Sequence, residues 1–234
     1  MNKYPFPTWN SDSQVKNKKS KNKSNSISTV IPATSSSQPS SVIKYKIIFI
    51  SGISGVGKTV LGKRLEETLE NAILIDQDMF FIKKKPIIRL SSGEPVINYD
   101  SIDSIDWEKL NYHIEINLQE HNIILVGFAL WKDKIKFTPD FHFLLVRDIL
   151  VDGKHNIETL KKFCYEDRQL SKRFRGKDNE LLMITELVIP FYFTTLSKLH
   201  PSIIINTYEN NSEGRIPLNI LVGYVLKRLP EELY

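Results

Sequence analysis

Short apolar runs alternate along this chain with longer stretches in which apolar residues recur every three or four positions. The runs at 45–50, 72–75, 122–126, 141–146 and 202–205 are rich in Ile, Val, Leu and Phe. Near-continuous apolar segments of that length predict strands buried on both faces. Between them, helical spacing predicts helices over 58–70, 106–120, 156–173, 179–199 and 217–229, the fourth of these open to a break before Pro190. In the first helix Leu61, Leu65 and Leu69 fall on one stripe. Such β–α alternation implies a parallel sheet with helices on both faces. The segment 83–99 breaks the alternation: a Ser92-Gly93 turn between two short β-like runs predicts a small hairpin.

Residues 1–43 lack this pattern. They are rich in Ser, Asn and Lys, carry Pro5, Pro7, Pro32 and Pro39, and predict a disordered tail ahead of a domain over 44–234. The net charge of +5 resides in that tail, where six lysines face one aspartate; the other 26 basic and 26 acidic side chains balance. The domain therefore has no global bias toward nucleic acid. The basic cluster at 16–23 reads as a solvated low-complexity tail, with a nuclear-import or anionic-surface signal as the alternative. One cysteine, Cys164, leaves no internal disulfide and fits a reducing compartment. No apolar run reaches membrane-helix length and no signal-peptide core opens the chain, so a cytoplasmic protein is expected.

The first predicted strand and helix are joined by Gly52-Ile53-Ser54-Gly55-Val56-Gly57-Lys58-Thr59. This matches the phosphate-binding pattern G-x-x-x-x-G-K-[ST] in the strand–loop–helix setting its mechanism needs. Glycines let the backbone curl so that several N–H groups converge on phosphate oxygens at the positive end of a helix. In that arrangement Lys58 reaches the β- and γ-phosphates and the Thr59 hydroxyl ligates Mg²⁺. The fold expected is a three-layer P-loop NTPase sandwich around a five-stranded parallel sheet, with ATP and Mg²⁺ as cofactors.

A second block, Asp76-Gln77-Asp78-Met79-Phe80-Phe81, follows the second strand, where a carboxylate faces the ligand crevice. Asp78 there is suited to accept the proton of an attacking hydroxyl, to help hold Mg²⁺, or simply to cap the next helix. A third block, Tyr99-Asp100-Ser101-Ile102-Asp103-Ser104-Ile105-Asp106-Trp107, spaces three acids three residues apart. Asp106 suits the N-cap of the helix beginning at Trp107, and Asp103 suits solvent. Asp100 beside Tyr99 suits a pair of hydroxyls next to a flat ring.

Taken with the loop, these blocks resemble the uridine kinase and nicotinamide riboside kinase family of P-loop proteins. That family shows Q-D-x-F after the second strand and an aromatic-Asp-x-x-Asp-x-x-Asp signature before the third helix. The likeness runs from about 45 to 206, with Ile189-Pro190-Phe191-Tyr192 similar to a W-P-x-Y stretch. It implies that Asp78 activates a nucleoside 5′-hydroxyl, that Asp100 binds ribose hydroxyls and that Tyr99 lies against the base. It also implies a basic lid over ATP around 165–180, for which Arg168, Lys172, Arg173, Arg175 and Lys177 are the candidates, a solvated basic helix face being the alternative. One position departs from the pattern. Family members end the third long strand with an acid, as in I-I-E-G-F, whereas this chain has Val126 there. Asp76 or Asp78 is then left to take over the metal role. The activity implied is ATP-dependent phosphorylation of a ribonucleoside, with uridine, cytidine and nicotinamide riboside as acceptors. The alternatives are a kinase for another small molecule, or a degenerate nucleotide-binding protein. No N-K-x-D motif points to a GTPase.

Overall fold

A computed structural model of the protein describes residues 45–128, 130–147, 150–151, 154–169, 176–196, 198–207 and 216–234. The tail expected over 1–43 lies outside the described residues, as do Lys172, Arg173 and Arg175 of the expected lid.

The main sheet contains β1 (Ile47–Gly52), β2 (Ala72–Asp76), β5 (Asn122–Gly127), β6 (Phe141–Val146) and β9 (Ile203–Asn206), in the order β2-β5-β1-β6-β9 and all parallel. The expected P-loop sandwich is the observed fold. Each strand lies within two residues of its predicted bounds; β1 and β5 are buried at every position, which leaves a continuous apolar run, while the edge strands β2 and β9 are only partly buried. Alternate residues serve opposite layers. Ile48, Ile50, Ile124 and Val126 pack with α1 (Lys58–Glu66), α3 (Ile157–Gln169) and α6 (Leu218–Leu226). Ile47, Phe49, Ile123 and Leu125 pack on the other face with α2 (Trp107–Asn117).

Two short antiparallel pairs lie outside this sheet. β3 (Ile87–Arg89) and β4 (Pro95–Ile97) form the hairpin expected within 83–99, turning at Gly93 with φ +84°. β7 (Leu150–Val151) pairs with β8 (Lys154–His155).

The long helix expected over 179–199 is not broken at Pro190. α4 (Lys177–Met183) runs into a π-helical segment, Ile184–Val188, and on into α5 (Ile189–Leu196). Ile189 N–H reaches back to Ile184 O, so the wide turn falls just before the proline, whose ring would clash with the carbonyl of a regular helix. The hairpin leans on this rod: Leu90 and Val96 pack against Met183, and Ser91 donates from both its amide and its hydroxyl to the Glu186 carboxylate.

α1 packs closely on the sheet at Gly62. A Cβ added there would come 2.7 Å from Leu74 Cδ1 and 2.8 Å from Val126 Cγ1. Val126 is β-branched and held in a strand, so it has little room to yield. Gly62→Ala is therefore expected to lower stability by about 1–2 kcal/mol, overpacking outweighing the better helix propensity of Ala. The denaturant midpoint checks this, and an unchanged or raised midpoint would mean that α1 is not seated so tightly.

Among the described residues no helix is long and apolar enough to cross a membrane.

Candidate functional site

The crevice opens where the carboxyl ends of β1, β2 and β5 meet, the place at which parallel α/β sheets bind ligands. The loop 52–57 leaves β1 and turns into α1. Gly52 is forced by contact, since a Cβ there would lie 2.5 Å from Leu145 O. Gly57 is forced by conformation: it caps α1 at φ +101°, a region costly for other residues. Val56 is buried and anchors the loop, and its amide donates to Ile53 O at 3.3 Å. Ser54, Gly55, Lys58 and Thr59 face the cleft, which encloses about 840 Å³ including its open mouth.

Lys58 folds back so that Nζ donates to Ile53 O at 2.9 Å. Its residue surface is only half-buried, yet the ammonium lies deep enough among protein atoms for desolvation to push its pKa below the ordinary 10.5. The carboxylates of Asp78, Asp76 and Asp100, in that order, pull the other way and favour the charged form. The loop lysine and three acids therefore share one field.

Asp76 ends β2, and its two oxygens have separate partners. Thr59 Oγ1 donates to Oδ2 at 3.1 Å, and the Asp78 amide donates to Oδ1 at 3.0 Å, which caps the short 3₁₀ turn Gln77–Phe80. The helix cap considered for Asp78 is thus filled by Asp76, and Asp78 stands exposed at the cleft wall. Gln77, the first residue of the Q-D-x-F signature, carries no expected role of its own. It is buried, and its Oε1 accepts the Phe128 amide at 3.0 Å, tying the 3₁₀ turn to the exit of β5. Gly127 makes room for it, since a Cβ there would come 2.6 Å from Oε1.

Tyr99 and Asp100 line the same cleft. Tyr99 meets Phe81 edge to face, with centroids 5.3 Å apart, and Lys85 Nζ lies 5.1 Å from the Tyr99 ring. Phe128 and Phe191 stack at 5.3 Å and 9° on a further side of the same cleft. Asp106 caps α2, its Oδ1 accepting the Lys109 amide at 3.0 Å, and Asp103 is exposed.

Of the basic candidates, Arg168 lies in the cleft. Nη2 reaches Asp100 Oδ2 and Nη1 reaches Glu180 Oε1, both at 3.0 Å. Glu180 was missed by sequence; it is 1 % exposed and holds α4 to α3 through this arginine. Arg168, expected in a lid over ATP, is thus paired with Asp100. Lys177 is exposed at the start of α4, and Arg173 lies outside the described residues.

Among the described residues no group of three or more His, Cys, Asp or Glu side chains is arranged to hold a metal ion. Mg²⁺ does not require one: it keeps several waters and takes one or two protein ligands beside phosphate oxygens. The donor set of Thr59 and Asp76, oxygen-only and already paired, fits that demand.

No family model matches the chain. Over 68 residues it is 37 % identical to nicotinamide riboside kinase 1 of Homo sapiens, a stretch covering 29 % of this chain. The match spans about a third (33 %) of that relative's length. Among solved structures it is similar to a sugar kinase from Janibacter sp., at 16 % identity over 78 % of this chain and 93 % of that one, with a TM-score of 0.47. It is also similar to thymidylate kinase from Candida albicans, at 12 % identity over 79 % and 91 %, with a TM-score of 0.45. A gluconokinase from Sinorhizobium meliloti is 15 % identical over 79 % and 90 %, with a TM-score of 0.42. Likeness at this level adds nothing to what the sheet and the loop already display.

Proposed function

We propose that the protein is an ATP-dependent kinase that transfers the γ-phosphoryl group to the 5′-hydroxyl of a ribonucleoside, either uridine and cytidine or nicotinamide riboside. The observation that carries this reading is a single cleft in which the phosphate loop and Lys58 face Asp78, Tyr99 and Asp100. A site that only bound nucleotide would have no need for a second, carboxylate-bearing wall. The partial match to nicotinamide riboside kinase 1 supports the same acceptor class.

The loop and Lys58 would hold the β- and γ-phosphates, and Thr59 with a carboxylate at the end of β2 would hold the metal ion, which when bound screens phosphate charge. Tyr99 takes the base, with the Phe128–Phe191 stack as an apolar wall. Asp100, oriented by Arg168, takes the ribose hydroxyls. Asp78 accepts the 5′-hydroxyl proton as the acceptor oxygen bonds to the γ-phosphorus. The bond from that phosphorus to the bridging oxygen breaks, and ADP leaves with the electron pair. Arg168, with Arg173 as the sequence suggests, supplies positive charge near the phosphates. The reducing environment that suits the buried Cys164 agrees with a cytoplasmic enzyme.

Val126 favours a second reading, a nucleotide-binding protein without transfer, because the acid expected there is absent. ADP release measured with uridine, cytidine and nicotinamide riboside side by side separates the two. At least one acceptor is expected to drive ADP formation. Tight ATP binding with no acceptor-dependent ADP, even at high protein concentration, would defeat the kinase reading.

A further inference from the structure

We infer that Asp76, at the end of β2, is the carboxylate that organises the nucleotide's metal ion together with Thr59. This rests on the proposed function only in requiring that a nucleoside triphosphate occupy the loop.

In phosphate-loop proteins the hydroxyl following the loop lysine shares the ion with an acid at the end of a nearby strand. β1 has two neighbours in this sheet, β5 and β6. β5 runs Asn-Ile-Ile-Leu-Val-Gly and β6 runs Phe-His-Phe-Leu-Leu-Val, so neither carries an acid. At the end of β5, Val126 is fully buried and fills the space beneath Gly62. Its register partner on the next strand out is Asp76. The acid has thus moved one strand sideways at the same height in the sheet.

Asp76 also makes the contact that such an acid needs. Thr59 Oγ1 donates its proton to Asp76 Oδ2, which leaves the lone pairs of Oγ1 to face a cation. The bond from the Asp78 amide to Oδ1 fixes the plane of the carboxylate. Capping the 3₁₀ turn occupies Oδ1 alone, and an amide oxygen would serve there equally well. The bond to Thr59 is what capping does not explain. The proton-accepting role then falls to Asp78, which is exposed in the same cleft.

Asp76→Asn separates charge from shape, because the amide keeps the cap and remains able to pair with Thr59. The test measures binding of a fluorescent ATP analogue in Mg²⁺ and in EDTA, without acceptor, for the full chain, with a thermal melt as fold control. Wild type is expected to bind more tightly in Mg²⁺. Asp76→Asn should lose on the order of 10–100-fold of that Mg²⁺-dependent affinity while binding at least as well as wild type in EDTA. Asp76→Glu should recover part of the loss, and Asp78→Asn should retain most of the Mg²⁺ effect. Three results would overturn the assignment: no Mg²⁺ effect in wild type, an undiminished effect in Asp76→Asn, or equal weakening with and without Mg²⁺. Because no acceptor is present, a failed nucleoside panel removes the kinase reading and leaves this result standing.

Discussion

Asp78→Ala is expected to lower phosphoryl transfer by a factor on the order of 10²–10⁴, the usual worth of a positioned general base. ATP affinity should stay within about twofold, since the contacts that would hold the triphosphate belong to other residues. The expectation follows from how the 3₁₀ turn is built. The bond tying residue 78 to Asp76 uses its backbone amide, so removing the side chain leaves the turn and the Thr59–Asp76 pair in place. The Gln77 clamp on the Phe128 amide likewise does not involve the Asp78 carboxylate. What disappears is the carboxylate proposed to accept the proton of the acceptor hydroxyl. Single-turnover transfer and ATP titration should be measured on the same preparation. A variant that binds ATP poorly yet keeps its turnover would place Asp78 on the nucleotide side and remove it from the acceptor side.

The different legibility of this site and its scaffold has physical causes. Strand positions were readable because burial favours apolar runs, and the buried His142 inside β6 is tolerated because its ring pairs with Ser51 Oγ. Helix ends were less so. Leu69 belongs to the same apolar stripe as Leu61 and Leu65 and is just as inward-facing, yet α1 stops at Glu66 and the chain turns beneath it. Apolar spacing reports which side faces the core, and it persists into the turn after the helix, where the Leu69 amide still donates to Leu65 O at 2.8 Å. Pro190 was read as a possible break because a proline lacks a donor, but a widened turn upstream can absorb that loss.

In the site, the loop and Asp106's cap follow from local rules and were visible. The meeting of Arg168 with Asp100 spans 68 positions, and no local spacing encodes it. The choice between Asp76 and Asp78 for the metal role was equally closed to a linear reading. Both follow the same strand, and only the pairing of β2 with β5 sets one of them opposite Val126. Gln77 was hidden for another reason: a polar side chain between two acids predicts exposure, and it is buried because its amide has a backbone partner to satisfy.

Val126→Glu, which restores the acid absent from the end of β5, is expected to destabilise the protein by about 3 kcal/mol, combining overpacking with an unpaired buried carboxyl. Val126 is fully buried in the cluster that includes Ile48, Ile50 and Leu61, and its Cγ1 already fills the space that keeps residue 62 a glycine. The two additional heavy atoms of Glu must displace α1 or the neighbouring Leu74. Burial also raises the folded-state pKa of such a carboxyl above its ordinary value of about 4.3. The folded protein then retains a proton that the unfolded chain has released, so the deficit is smallest in acid and widens as pH rises through that value. Val126→Gln, of the same size without the ionisation, should show the packing loss with no such slope. Denaturant unfolding at pH 5 and pH 8 measures both. If Val126→Glu instead unfolded like wild type at pH 8 and bound Mg²⁺-nucleotide more tightly, the end of β5 would open onto the ion after all. Asp76 would then be a second acid beside a vacant first place, not its replacement. The buried valine argues for replacement, because a side chain packed beneath α1 cannot also face the loop.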